Sequence, residues 1–350
     1  MLKKPFTYIR DYAHLAVWDW TQNYRFAKAP RRFLVITHPS YQPLFYDVFL
    51  HWTQAHFPEL RKLFELRPIP VLILDWSRYI LHIPWLQDPV QEWSTATYHQ
   101  ANHLAALCDQ HSIPVINRVA GLIHSSKSAG ARLMSEAGTG FIIPKSVPVT
   151  NLQEFKNNGL GLSFPLLVRE DCRHQSLIER ADNLSQCSKL DLNAFTRPVA
   201  AEIINTQSAD GYYRKYRYII AGNTGVPLSM HMSKDWICRG ENSIYNKHMF
   251  SEEMAYTQTV NPHHEKFLAL TKALKLDFAA FDYSLDQEGK LVVWEANPFP
   301  FLHFPGGGVV RRDYGGQAMS RVFAAMIQLY FQKAGLKVPA DIEYLIKLPA

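Results

Sequence analysis

Three oxygen-bearing side chains, Asp282, Glu295 and Asn297, lie on two apolar segments that are separated by a turn. The turn at residues 286–289 (DQEG) ends on a glycine, which is typical of a β-hairpin. Closing the hairpin on this turn places Asp282 opposite Val293. Because side chains alternate between faces, Asp282 then shares a face with Glu295 and Asn297 and stands diagonally to Glu295, roughly 7 Å away.

Two carboxylates and an amide oxygen are suitable ligands for Mg²⁺ and poor ligands for zinc. The plain alternative is a pair of solvated acids on an open sheet face. Apolar neighbours such as Phe281 and Trp294 anchor the opposite face, so the acids are held in one direction. Pro298 ends the second strand directly after Asn297, which places the acids beside a loop, where functional sites usually lie. The pattern favours a magnesium site.

The first third of the chain alternates short apolar strands with helices. Strands are predicted at FLVIT from Phe33, at VLILD (71–75) and at PVIN (114–117). Amphipathic stretches over 44–57 and 96–111 predict helices between them. This alternation indicates a small α/β layer with a parallel sheet.

The rest of the chain predicts a mixture of antiparallel strands and helices. A helix is expected to begin near Lys127, with Ser125 or Ser126 as its cap. Alternating residues in YYRKYRYIIAG predict an antiparallel strand. The other predicted elements are strands at 164–171 and 197–204, a helical piece over 177–184, and helices over 263–275 and 317–334.

Taken together, an Asp on one strand and Glu-x-Asn on the next resemble the metal-binding end of the ATP-grasp superfamily. Its best-known members include glutathione synthetase, D-alanine–D-alanine ligase and the ribosomal-protein glutamate ligases. Four further segments resemble the family in the same order, so the resemblance covers about residues 113–300. They are VINRVAGLIHSSKSAGARLMSEAGTGFIIP, FPLLVRED, PVAAEII and RKYRYIIAG.

The resemblance implies an α/β and α+β protein in which two α+β lobes enclose ATP behind an N-terminal parallel-sheet domain. Its expected parts are an aromatic N-terminal segment (1–30), an α/β domain (31–124), a central lobe (125–200) and a C-terminal lobe with the metal site (201–350).

The resemblance also implies roles for individual residues. Asp282, Glu295 and Asn297 become the Mg²⁺ ligands. Arg217, with Lys215, is expected to face the γ-phosphate and the developing acyl phosphate, as a cationic side chain that offsets transferred charge. The expected contacts to the rest of ATP are Lys127 and Arg169 for phosphates, and Glu202 with the backbone of Ile203 and Ile204 for adenine.

Two features depart from the family pattern. Arg169 stands where a lysine is common, and the flap that follows, EDCRHQS, contains no glycine. His174 in this flap is a candidate phosphate donor. The glycine-free flap also leaves open a protein that binds ATP without turnover.

A glycine run at 306–308 follows the metal strand and precedes Arg311 and Arg312. Arginine pairs well with carboxylates, so these two residues are candidate substrate ligands. A plain flexible connection is an equally good interpretation of this loop.

Composition narrows the class of partner. The 350 residues carry a net charge of +6, spread along the chain without a run of like charges, so neither nucleic acid nor an anionic membrane is an expected partner. Four scattered cysteines and the lack of an apolar leader predict a cytoplasmic protein. P-loop and Rossmann glycine motifs are absent from the sequence.

The leading hypothesis is an ADP-forming carboxylate–amine ligase that uses ATP and Mg²⁺. Its substrates would be a small-molecule or peptide carboxylate and an amine, joined through an acyl phosphate. The alternatives are phosphoryl transfer to a hydroxyl group and a non-catalytic ATP-binding module. The aromatic segment 1–30 is a candidate interface for a homodimer.

Overall fold

The computed structural model describes residues 23–38, 46–172, 178–306 and 308–347. Most of the segment 1–30, and His174 of the flap, lie outside the described residues. Among the described residues, no helix combines the length and the apolar character needed to cross a membrane.

The N-terminal layer is a parallel sheet with strand order β2-β1-β3, as the alternating pattern predicted. Its strands are β1 (Arg32–Thr37), β2 (Phe64–Pro68) and β3 (Tyr79–Trp85). The helices of this part are α1 (Tyr46–His56), α2 (Pro58–Arg61), α3 (Val90–Trp93), α4 (Thr95–Gln110) and α5 (Val119–Leu122), with a 3₁₀ turn at Trp76–Arg78.

One of the predicted strands in this layer was wrong, and another is reduced to a single bridge. VLILD (71–75) is irregular, and Leu72 and Leu74 are 80% and 88% exposed. Residues 114–117 contribute one isolated bridge, from Val115 to His82. The sheet instead uses two segments whose apolar runs are interrupted by polar residues, because burial by neighbouring elements decides strand position as strongly as local composition does.

The central lobe is an antiparallel sheet in the order β4-β7-β5-β6 with a core of its own around Phe155, Leu166 and Val168. The helical prediction over 177–184 was wrong, because Ile178–Ala181 form a strand. The elements are α6 (Lys127–Glu136), β4 (Ser146–Pro148), α7 (Leu152–Asn158), β5 (Leu166–Glu170), β6 (Ile178–Ala181), α8 (Leu184–Cys187) and β7 (Pro198–Glu202), with 3₁₀ turns at Gly159–Gly161 and Leu192–Ala194.

The C-terminal lobe is a second antiparallel sheet, in the order β11-β10-β8-β9. Its last long helix begins at Val309, eight residues before the predicted start at 317 (317 − 309 = 8). The elements are β8 (Tyr213–Ala221), β9 (Thr224–Ser233), α9 (Lys247–Thr257), α10 (His264–Ala273), β10 (Phe278–Leu285), β11 (Leu291–Asn297), α11 (Val309–Lys333) and α12 (Ala340–Ile346), with a 3₁₀ turn at Gly240–Asn242.

The N-terminal layer and the C-terminal lobe share one hydrophobic core, which α11 fills. Phe49 of α1 packs edge-on against Phe323 of α11, with ring centroids 5.6 Å apart. Phe33 of β1 contacts Tyr330 of the same helix. The N-terminal layer is therefore a rigid base for the sheet that carries Asp282 and Glu295.

Asn117 joins the same two parts through hydrogen bonds. Its Oδ1 accepts from the backbone N–H groups of Asp277 (2.7 Å) and Phe278 (2.8 Å), and its Nδ2 donates to the Phe278 carbonyl (2.8 Å). These bonds fix the start of β10, four residues before Asp282.

The predicted hairpin is confirmed, but its register was wrong. Tyr283 pairs with Val293, and a β-bulge at the next step brings Asp282 directly opposite Glu295. The turn is also one residue longer than expected, since the Asp286 N–H bonds to the Lys290 carbonyl at 2.9 Å. The bulge restores the alternation, so the two acids still share a face, although they face each other directly rather than diagonally.

Candidate functional site

A cleft of about 1410 Å³ lies between the central lobe and the C-terminal lobe. Both sheets line it, together with the loops that follow β9 and β11. Most of the residues that the sequence singled out line this cleft: Lys127, Arg169, Glu202, Ile203, Ile204, Lys215, Arg217, Asp282, Glu295, Asn297 and Arg311.

Arg217, Asp282 and Glu295 form a row across three adjacent strands. Arg217 of β8 pairs with Asp282 of β10, which pairs with Glu295 of β11. Asn297 lies opposite Ala280, two residues along β10 and on the same face. The row therefore carries one cation, two carboxylates and a neighbouring amide into the cleft.

Asp282 is the buried centre of this row and is 3% exposed. Its carboxylate accepts hydrogen bonds from Arg217 Nε (2.7 Å) and Nη2 (2.9 Å), and Lys215 Nζ lies 3.2 Å away. Burial by itself raises the pKa of Asp282, but the charges of Arg217 and Lys215 outweigh it and lower that pKa to about 2. Asp282 is thus a carboxylate at neutral pH.

Lys127 and Arg169 approach the second carboxylate from the central lobe. The Lys127 ammonium forms an ion pair with Glu295, and Arg169 Nη2 lies 3.9 Å from it. Ser126 caps α6, and Asp171 accepts from the Ser128 N–H at 2.8 Å. The Asp171 charge offsets the unfavourable placement of a lysine at a helix N-terminus.

The guanidinium of Arg169 has unused hydrogen-bonding capacity. Its Nε is buried and has no hydrogen-bond partner among the described residues. Arg239, in the loop after β9, also lines the cleft, close enough for its charge to act on Arg169. A buried donor without a partner is costly, so this corner of the cleft suits an oxyanion.

The donor set fits a hard divalent cation. Asp282 and Glu295 face each other across one strand pair, and Asn297 follows on the same face. Asn297 Oδ1 accepts from the Phe299 N–H at 2.8 Å, which orients the amide and leaves an acceptor lone pair. Oxygen ligands of this kind are those that Mg²⁺ prefers.

The segment expected to meet adenine lines the opposite part of the cleft. Glu202 Oε1 accepts from the Ser163 N–H at 2.9 Å, so its carboxylate already has a protein partner. The Ile203 N–H donates to the Pro165 carbonyl at 2.9 Å. These bonds hold the end of β7 at the rim of the cleft, with Ile204 beside it.

Arg311 and Arg312 are placed quite differently from each other. Arg311 is 7% exposed and its guanidinium donates to both oxygens of Glu253, at 2.8 and 3.0 Å. Glu253 also accepts from Tyr314 and from the Met230 N–H. Arg312 is exposed and is not among the residues that line the cleft. The Arg311 ion pair is therefore a structural element of the cleft wall.

This placement predicts a stability effect for Arg311→Gln. Removing the arginine leaves Glu253 buried with two neutral partners, so we expect the free energy of unfolding to fall by about 2–3 kcal/mol. Urea denaturation measures this change in the free energy of unfolding. Arg312→Gln is the matched control and is expected to stay within about 0.5 kcal/mol of wild type. Equal stability of the two variants would contradict the structural role of Arg311.

Other cleft residues were not assigned to the site from the sequence, because their positions depend on how the two lobes meet. Arg180 of β6 lies over the Trp236 ring, 5.6 Å from its centroid, and so joins the lobes across the cleft. His231 is half-buried and Nδ1 contacts Ser243 at 2.9 Å. Burial, aided by Lys215 and Arg217, lowers the His231 pKa to about 3, so this ring is neutral.

The exposed histidine pair of α4 is separate from this site. His99 and His103 have the spacing of a helical metal pair, and both are exposed on the surface. They are not among the residues that line the cleft.

Comparison with known proteins identifies the fold. No protein-family model matches the sequence, and no curated protein does. Solved structures do match. VanG D-Ala:D-Ser ligase from Enterococcus faecalis is 15% identical, with a TM-score of 0.51 over 86% of this chain and 99% of its own. D-alanine–D-alanine ligase from Bacillus anthracis, complexed with ATP, is 14% identical, with a TM-score of 0.52 over 87% and 99%.

A peptide-bound structure shows the same similarity. The macrocyclase MdnC from Microcystis aeruginosa MRC, bound with the precursor peptide MdnA, is 10% identical, with a TM-score of 0.50 over 82% of this chain and 99% of its own. At these identities the comparison concerns the fold. Together with the mixed α/β architecture described above, it shows that this chain has the fold of the ATP-grasp superfamily.

Proposed function

We propose that this protein is an ATP-dependent ligase that joins a carboxylate to an amine through an acyl phosphate, with release of ADP and phosphate. The observation that carries the proposal is the charge arrangement in the cleft. Four cationic side chains surround two carboxylates, and they come from both lobes: Lys127, Arg169, Lys215, Arg217, Asp282 and Glu295.

This arrangement suits a polyphosphate held together with a cation. Phosphoryl transfer depends mainly on positioning and on positive charge around the transferred group. In the proposal, Lys127 and Arg169 bind phosphate oxygens from the central lobe. The Arg169 Nε donor, which is buried without a partner among the described residues, is available for this contact.

Asp282, Glu295 and Asn297 are the residues that would hold Mg²⁺. The ion would supply charge neutralisation at the phosphates. Arg217 is held at the centre of the row by its two hydrogen bonds to Asp282. We assign Arg217, with Lys215, to the stabilisation of negative charge on the transferred phosphoryl group and on the acyl centre, as a donor fixed in advance of the reaction.

The structural neighbours suggest the chemical class of the substrates. The structural neighbours are ligases of D-amino acids and a macrocyclase bound with a peptide. We therefore propose a small-molecule or peptide carboxylate and an amine. The remaining part of the cleft, lined by Trp236, Tyr245 and Phe301, offers them aromatic surface beyond the row of charges.

Nucleotide binding is the first test of this proposal. A non-hydrolysable ATP analogue with Mg²⁺ is expected to raise the melting temperature, because a ligand that binds only the folded state stabilises it by mass action. The shift is expected to disappear in Arg169→Met and to persist in Arg132→Met, whose arginine lies on the exposed side of α6 and pairs with Glu136.

The second step is chemical. Carboxylate and amine mixtures are screened for ADP release, and products are identified by mass spectrometry. An amide product supports the ligase, whereas a phosphorylated alcohol would replace it with a phosphotransferase. No thermal shift at millimolar nucleotide in the wild-type protein would overturn the proposed function.

A further inference from the structure

A second cavity, of about 180 Å³, lies outside the cleft. It is bordered by the β8–β9 hairpin, the start of α10, and residues of α11 and of the C-terminal end of α12. Thr259 and Val260, in the segment between α9 and α10, form its rim, and Val260 is 72% exposed. The cavity is therefore open to small solutes at one end.

Arg321 of α11 lines this cavity and is 6% exposed. Its Nη2 donates to the Thr257 carbonyl at the end of α9. Its Nε is buried with no hydrogen-bond partner, and it forms no ion pair with any described residue. Arg321 thus differs from Arg311, ten residues earlier in the same helix (321 − 311 = 10), which is paired with a buried glutamate.

The other polar groups of the cavity are neutral or basic. The Tyr218 hydroxyl contacts His264 Nδ1 at 3.0 Å, and His264 Nε2 contacts the Asn223 carbonyl at 3.1 Å. Asn261 completes the polar lining. No carboxylate is among the described residues that line the cavity. Burial lowers the pKa of Arg321, as expected for a cation without a counter-charge.

We propose that this cavity is a binding site for a small oxyanion, which pairs with the Arg321 guanidinium. A buried charge is costly unless it is paired and hydrogen-bonded, and one backbone carbonyl does not neutralise a guanidinium. An oxyanion in the cavity offers the missing negative charge and acceptor oxygens for the guanidinium. Free phosphate and a small carboxylate share this chemistry and are of a size that enters 180 Å³.

Gly225 keeps the polar wall of this cavity in place. A Cβ at this position would lie 1.8 Å from the Tyr218 hydroxyl oxygen and 2.6 Å from His264 Nδ1. The absence of a side chain therefore lets the Tyr218–His264 pair form beside the cavity. A larger residue at position 225 would have to displace both groups.

The test measures thermal stabilisation of the full chain by inorganic phosphate and, separately, by acetate, at low millimolar concentration and constant ionic strength. We expect one or both anions to raise the melting temperature of the wild type. Arg321→Met is expected to weaken the apparent affinity about tenfold or more, since the variant loses the charge-assisted hydrogen bonds to the anion. The anion that gives the larger shift identifies the ligand as phosphate or carboxylate.

Two further variants keep the result interpretable. Arg169→Met removes one cation of the main cleft, so a phosphate shift that persists in this variant and is lost when Arg321→Met is added comes from the second cavity. Arg321→Lys keeps the charge and loses the planar guanidinium, so it is expected to bind the anion more weakly than wild type. It is the test variant if Arg321→Met does not fold. Wild-type protein that responds to neither anion, or variants at position 321 that respond as strongly as wild type, would overturn the proposal.

Discussion

Glu295→Gln is expected to reduce Mg²⁺-dependent ADP formation by at least about 10²-fold, comparable to the loss of one preorganised charge contact in other active sites. The substitution removes one of the two carboxylates that face each other across β10 and β11. The amide keeps the size of the side chain. Because Glu295 is partly exposed, the change in the free energy of unfolding is expected to stay within about 1 kcal/mol.

Nucleotide binding without metal separates a loss of the Mg²⁺ ligand Glu295 from a general loss of nucleotide binding. Loss of the Glu295 charge leaves Lys127 and Arg169 without their carboxylate neighbour, so binding of the ATP analogue in the presence of a chelator is expected to be retained. Addition of Mg²⁺ is expected to give little further stabilisation in this variant.

Glu288→Gln is the matched control. Glu288 lies in the turn of the same hairpin, where it is exposed and pairs with Lys290. Its replacement is expected to leave ADP formation and metal dependence at wild-type values. A Glu295→Gln protein with wild-type turnover would remove Glu295 from the metal site.

Asp282→Asn is expected to cost about 3–5 kcal/mol of unfolding free energy in addition to activity. Asp282 is buried and bonded to Arg217 and Lys215, and removal of its charge leaves two cations without their common partner. Breaking a buried ion pair from one side is among the more costly single changes. Urea denaturation at neutral pH measures the loss.

The same group predicts a dependence on pH. The pKa of Asp282 lies at about 2 in the folded protein, below its ordinary value of 3.8. Its contribution to stability is therefore complete above about pH 4 and is lost as the pH falls toward 2. The difference in unfolding free energy between wild type and Asp282→Asn is expected to be constant from pH 7 to 5 and to shrink below pH 4.

Asp286→Asn provides the control for this experiment. Asp286 begins the turn of the same hairpin, and its Oδ1 accepts from the Glu288 and Lys290 N–H groups. Asparagine makes the same turn contacts, so stability is expected to change little. A loss of less than about 1 kcal/mol of unfolding free energy in Asp282→Asn would show that burial of Arg217 and Lys215 does not depend on the charge of Asp282.

The hairpin and its acids could be predicted because the information is local. A glycine-containing turn and two apolar strands predict the hairpin that carries Asp282, Glu295 and Asn297, but the common face of the two acids depends on the β-bulge beside Asp282. The α/β pattern of the first third likewise indicated a parallel sheet. The anion contacts expected at Lys127, Arg169 and Arg217 came instead from the resemblance to the ATP-grasp superfamily.

The register of the hairpin depended on more than the turn. The β-bulge beside Asp282 brings Glu295 opposite Asp282 while Arg217 pairs with Asp282 from β8. The row requires three strands in one register, and Arg217 of β8 is 65 residues from Asp282 of β10 in the chain. Turn composition does not carry that information.

Long-range packing also decided which arginines have an acidic partner. Arg311 and Arg321 lie in one helix, but Arg311 meets Glu253 of α9 and Arg321 meets a backbone carbonyl. The sequence by itself determined the chemical groups and the hairpin that carries the acids. Tertiary structure alone decided which charges are neutralised, because a buried charge takes its partner from segments that are distant in the chain.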